Sequence, residues 1–139
     1  MMLKDKAVEY YSPKYDLNCA EAMIYSANDI YDLKLEKSTL KTMAGFGGGM
    51  AIEDTCGALS GAIAVLGVLF VREKAHESHQ MKEMVTDYMY RFKEEMGSIK
   101  CDQLKKNYRE DAPVKCRKVV FVAAELLDQI VREKQGEGR

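Results

Sequence analysis

The sequence predicts an all-α single domain spanning residues 1–139, a bundle of about five to seven helices around a central apolar helix at residues 55–71. Three observations predict it. The sixteen residues from Cys56 to Val71 carry no charge and one hydroxyl, Ser60, so a helix there has almost no face suited to water. Elsewhere apolar residues recur three and four apart, and no alternating run of useful strand length occurs. Finally, 139 residues that are 47% hydrophobic and 31% charged suit one compact unit with a sizeable core.

Residues 3–11 place Leu3, Ala7, Tyr10 and Tyr11 on one helical face, and Pro13 stops that helix by disfavouring helical geometry at Ser12. Asn18, followed three residues later by Glu21, starts a second helix in the manner of a capping box, with Cys19 as its first residue. Ser38 is the expected cap of a short third helix that ends at Gly45 or Gly47 in the left-handed conformation. Asp54 is the expected N-cap of the central helix, placing Cys56 in its first turn. Gly57, Gly61, Ala58, Ala62 and Ala64 give that helix a flat side against which another backbone can approach. At about 1.5 Å per residue its sixteen residues reach only about 24 Å, and Arg72, Glu73 and Lys74 close the run, so no membrane span of about 30 Å is expected.

A further helix over 75–96 buries Met81, Met84, Val85, Tyr88, Met89, Phe92 and Met96 and ends at Gly97. Ser98 is the expected cap of another short helix, with Cys101 at its third position, and 107–111 is expected to be a loop. Pro113 fits the first turn of the last helix, which carries Val114, Val119, Val120, Val122, Ala123, Leu126, Leu127 and Ile130 on a broad apolar face and Cys116 about one turn in. The charged tail from Glu133 to Arg139 is expected to fray.

The formal net charge of −1 arises from 21 basic and 22 acidic residues that are interspersed, which argues against a nucleic-acid footprint. Met1, Met2 and Leu3 lead straight into Lys4, Asp5 and Lys6 with no apolar leader, so a cytoplasmic location is expected. In a reducing compartment, four cysteines without a C-x-x-C pair are metal ligands or redox groups rather than structural staples. Cys19, Cys56, Cys101 and Cys116 each fall near the start of a separate expected helix, where free N–H groups and the helix dipole favour a thiolate. Cys56 combines such a start with a flexible glycine approach, and it is the cysteine expected to carry the chemistry.

Gly47, Gly48 and Gly49 ahead of the central helix, with Gly57 after Cys56, are the candidate positions for backbone contact with a bound group. Consecutive glycine amides can cradle an anion, but without the Gly-Lys-Ser/Thr ending of a P-loop a turn that lets backbone approach Cys56 closely is favoured. His76 and His79, with Glu73 and Glu83, have metal-ligand spacing, yet the surrounding charges favour a solvated face. Tyr10, Tyr11, Tyr15, Tyr25 and Tyr31 are expected to be packing residues.

Cys56-Gly57-Ala58-Leu59-Ser60-Gly61 reads C-G-A-x-x-G, with Cys19 before it and Cys101 and Cys116 after it. In this order, and with the Phe46-Gly47-Gly48-Gly49-Met50 approach, the chain resembles the redox-active C_GCAxxG_C_C family over essentially its whole length. In this chain Thr55 precedes the cysteine and glycine follows it. The resemblance implies a small redox-active protein defined by its cysteines, without a fixed substrate or cofactor.

Two functions compete on the same four cysteines. One is thiol–disulfide or electron-transfer chemistry with a redox partner protein or a small thiol. The other is a module in which Cys19, Cys56, Cys101 and Cys116 ligate Zn or an iron–sulfur cluster. A glycine-lined helix and nine methionines leave room for a homodimer.

Overall fold

The computed structural model describes residues 1–137 as seven α-helices: α1 (Leu3–Tyr11), α2 (Cys19–Ile30), α3 (Lys37–Leu40), α4 (Gly57–Phe70), α5 (His79–Met96), α6 (Cys101–Tyr108) and α7 (Arg117–Glu137). No strand forms among the described residues, where an isolated antiparallel bridge joins Thr55 to Lys100. The chain is thus an all-α single domain. No helix among the described residues is long and apolar enough to cross a membrane.

Local signals set most helix ends. Ser12 is extended ahead of Pro13 and closes α1. At the start of α2 the Asn18 side chain accepts the Glu21 N–H while the Glu21 carboxylate accepts the Asn18 N–H, so two free amides are satisfied reciprocally. Gly97 ends α5 at φ 87, where a side chain would be strained.

α4 lies at the centre, packed on α2, α5 and α7. Its small residues decide that position. A Cβ on Gly61 would stand 2.5 Å from the Ala20 carbonyl oxygen and 2.9 Å from the Met23 Cβ, so the α2 and α4 backbones touch along the flat side the sequence displays. Leu59, Ala62, Val65 and Leu66 are buried, but Val68 is 40% exposed and Leu69 and Phe70 are half-buried, so the helix surfaces in its last turn despite lacking a polar face. Met84, Tyr88, Phe92 and Met96 of α5 complete the core, and the buried Tyr88 hydroxyl donates to the Ala123 carbonyl on α7 at 2.8 Å.

Several boundaries differ from expectation. α3 starts after Glu36 rather than Ser38 and passes into a 3₁₀ segment, Lys41–Phe46; Gly48 and Gly49, not Gly45 or Gly47, take positive φ. α5 starts at His79, after a short 3₁₀ turn over Ala75–Glu77, and both His76 and His79 are exposed. α6 begins at Cys101 itself and continues through Tyr108, into the expected loop. Pro113 follows a cis peptide in the turn before α7, so Cys116 precedes that helix. Residues 133–137 continue α7; 138 and 139, also expected to fray, lie outside the described residues.

Candidate functional site

Each cysteine sits where its helix begins. Cys19 and Cys101 are the first residues of α2 and α6, and Cys56 is the N-cap residue of α4. The Cys116 carbonyl accepts the Val120 N–H at 3.1 Å, the first turn of α7. All four cysteines line one cavity of about 200 Å³.

A short pairing of distant segments brings two of them together. The Asp54 carbonyl accepts the Cys101 N–H at 2.6 Å, and the Ile99 carbonyl accepts the Cys56 N–H at 2.9 Å, on either side of the Thr55–Lys100 bridge. The Asp54 carboxylate pairs with the Lys100 ammonium. Asp54 therefore does not cap α4 as expected; its charge and its carbonyl go to the 99–101 segment. Tyr11, at the end of α1, does the same for Cys116, whose N–H it accepts on its phenol oxygen at 3.3 Å. Burial pushes the Tyr11 phenol up to about 12, so it keeps its proton at neutral pH.

The glycines act by close approach to sulfur. A Cβ on Gly57 would lie 2.7 Å from the Cys19 sulfur, and one on Gly49 would lie 2.8 Å from the Cys101 Cβ. A Cβ on Gly47 would strike the Asn18 side chain. Gly48 and Gly57 line the cavity; Gly47 and Gly49 do not. The backbone thus approaches Cys19 and Cys101, rather than Cys56 alone. Left-handed geometry continues past the glycines through Met50 (φ 59) and Ala51 (φ 65) and returns at Glu53 (φ 57) after Ile52 at φ −119, a strained path. The Asp54 N–H, donating to the Gly49 carbonyl at 3.0 Å, closes that loop.

Electrostatics separate the cysteines. The Cys56 thiol donates to the Cys19 sulfur, and the N–H groups of Gly48, Ala20 and Cys19 itself also point at it; together these outweigh burial and hold the Cys19 thiol below its ordinary value of 9.0. Cys56 moves the other way. Giving its proton to Cys19 and being buried beside that charge push it well above 9.0, although the Ala58 and Leu59 amides oppose the shift. The direction is opposite to the expectation that Cys56 is the thiolate, because three amides and a thiol converge on Cys19. Cys101 and Cys116 are also raised, chiefly by burial, against the lowering influence of Lys105 on both and Arg109 on Cys116.

Three cations on the cavity wall, Lys105, Arg109 and Lys115, were not expected there, and Tyr11, expected as a packing residue, also lines it. The helical period held the missing signal, since Cys101, Lys105 and Arg109 stand four apart and Lys115 directly precedes Cys116. His76 and His79 lie away from the cavity. Among the described residues no group of three or more His, Cys, Asp or Glu side chains is placed to hold an ion.

Residues 17–130, which include all four cysteines, match the model of the family described as "Putative redox-active protein (C_GCAxxG_C_C)". The chain belongs to the C_GCAxxG_C_C family. No curated protein and no solved structure matches it. Within the hexapeptide of this C_GCAxxG_C_C protein, Cys56 and Gly57 face the cavity while Gly61 seats α4 on α2, so one motif serves both the cavity and the packing.

Proposed function

We propose that the protein is a dithiol–disulfide redox protein in which Cys19 and Cys56 are the reacting pair and Cys101 and Cys116 assist from the same cavity. The observation that carries this reading is a cavity that all four cysteines line, in which the Cys19 sulfur lies against the backbone of Gly57, the residue next to Cys56. Thiol–disulfide exchange needs a thiolate, a second thiol within reach of it, and access for the partner sulfur. Cys19 as thiolate attacks one sulfur of a disulfide and releases the other as a thiolate. Cys56 then gives up its proton, its sulfur attacks Cys19, and the second substrate thiol leaves. The dithiol is oxidised by two electrons and the disulfide is reduced to two thiols. A redox partner protein or small thiol reverses the step.

Zinc or an iron–sulfur cluster needs sulfurs converging about 2.3 Å from a metal. The described side chains offer no such group of three, and the donated thiol proton between Cys19 and Cys56 suits exchange better. The test uses the neutral hydroxyethyl disulfide on the reduced protein. Of the four free thiols, two should disappear, and peptide mapping should recover Cys19 linked to Cys56. Retention of all four, or a link confined to Cys101 and Cys116, removes this reading.

A further inference from the structure

Three charged side chains line the cysteine cavity, and all are cationic: Lys105, Arg109 and Lys115. No carboxylate lines it among the described residues. Lys105 is held by Glu53 at 3.1 Å. Arg109 reaches toward Cys116, and neither Arg109 nor Lys115 has a carboxylate partner among the described residues. Lys115 is half-buried, at a left-handed φ of 46, with its carbonyl accepting the Glu110 N–H at 3.0 Å. A left-handed backbone at a lysine is costly, and it sets the Lys115 side chain on the cavity wall with no carboxylate beside it among the described residues.

A cavity of about 200 Å³ is smaller than the roughly 300–1,000 Å³ that holds a drug-sized ligand, so it admits a small molecule or one end of a larger one. Thiols on its inner wall call for an electrophilic sulfur, and cations on its wall call for negative charge close to that sulfur. We infer that the cavity takes the carboxylate-bearing end of a small anionic disulfide, with Arg109 and Lys115 binding the carboxylate while Cys19 and Cys56 exchange with its sulfurs. The inference rests on the dithiol reading above and names its substrate class. The balance is unchanged: one disulfide and the protein dithiol give two carboxylate-bearing thiols and the Cys19–Cys56 disulfide.

Three disulfides of similar reach separate charge from reactivity: anionic 2,2′-dithiodiacetate, neutral hydroxyethyl disulfide and cationic cystamine. Single-turnover rates with the reduced protein are divided by the rates of dithiothreitol with the same compounds, which removes their intrinsic differences. The normalised anionic-to-neutral ratio should be about tenfold or more, as a cleft lined by one sign of charge gives. It should fall with added salt, and cystamine should lie below the neutral compound. Combined Lys115→Gln and Arg109→Gln should bring the ratio toward one; because it is a ratio, a general loss of thiol reactivity cancels. Should that protein lose its helical circular dichroism, Lys115→Gln alone and the salt series on the parent carry the measurement. A normalised ratio near or below one in the parent, or the same ratio after substitution, overturns the inference. If hydroxyethyl disulfide also fails to give the Cys19–Cys56 link, the dithiol reading fails with it; if that link forms, only the anionic preference is lost.

Discussion

On the cavity wall built by α2 and α4, Cys19 gathers three backbone amides and a thiol among close-packed glycines, whereas on the wall built by α6 and α7, Cys101 and Cys116 are held above 9.0 by burial. All four thiols share a helix start. The difference therefore lies first in the Cys56 thiol, which acts on Cys19, and then in where the amides point. The N–H of Cys101 goes to Asp54, that of Cys116 to Tyr11 and that of Cys56 to Ile99, while the N–H of Cys19 faces its own sulfur. A helix N-terminus acidifies a thiol only to the extent that its donors are left free to reach the sulfur.

The contrast breaks most readily at Cys19. Cys19→Ser should slow iodoacetamide alkylation at pH 7 by about a hundredfold, the ratio of a largely ionised thiolate to the roughly one per cent ionised at the ordinary value of 9.0. Rapid alkylation that instead disappears with Cys101→Ser or Cys116→Ser would mean that the two walls have been assigned the wrong way round. Cys56→Ala tests the donated proton alone. Without it Cys19 should titrate higher, so the inflection of its alkylation rate against pH should move up by about one unit, close to a tenfold change in thiolate below the inflection. An unmoved inflection would leave the amides as the whole cause.

Packing on the α2–α4 wall gives the next largest effect. Gly61→Ala puts a methyl group 2.5 Å from the Ala20 carbonyl oxygen, and a forced fit of that kind costs about 1–3 kcal/mol. Gly45→Ala, with nothing within 4 Å of its Cβ, should stay within about 0.5 kcal/mol of the parent. Urea denaturation of both proteins measures the difference; equal midpoints would show that α2 and α4 are not held in backbone contact.

The smallest effect is the slope of stability against pH. Cys19 is lowered in the folded chain, so between its folded pKa and 9.0 the unfolded state binds more protons and stability should rise with pH. Cys56 is raised, so its contribution is present below 9.0 and is lost as pH increases beyond it. Thermal melts should therefore pass through a maximum near the ordinary thiol value. Cys19→Ser should remove the rising limb; a rising limb of the same steepness in that variant would assign it to other groups.

Sequence alone settled what depends on neighbours within a turn or two. Pro13 ends α1, Asn18 and Glu21 start α2, Gly97 ends α5, and the charge-free run after Cys56 makes the central helix, because steric and capping interactions act over three or four residues. It also placed every cysteine near a helix start, and the C-G-A-x-x-G hexapeptide carried the family. Asp54 was misread because a carboxylate two residues before an apolar run has the local look of a cap, while its partner Lys100 is distant in sequence. The opposite shifts of Cys19 and Cys56 were not legible for a related reason: the Cys56 thiol and the Gly48 amide, which favour charge on Cys19, arrive from segments that only the folded chain brings beside it. Lys105 and Arg109 follow Cys101 at helical spacing, but nothing local says which way that face of α6 turns. Tertiary structure decided the direction of the cavity, because amides, protons and charges act on a sulfur through a few ångströms of space, whatever their separation along the chain.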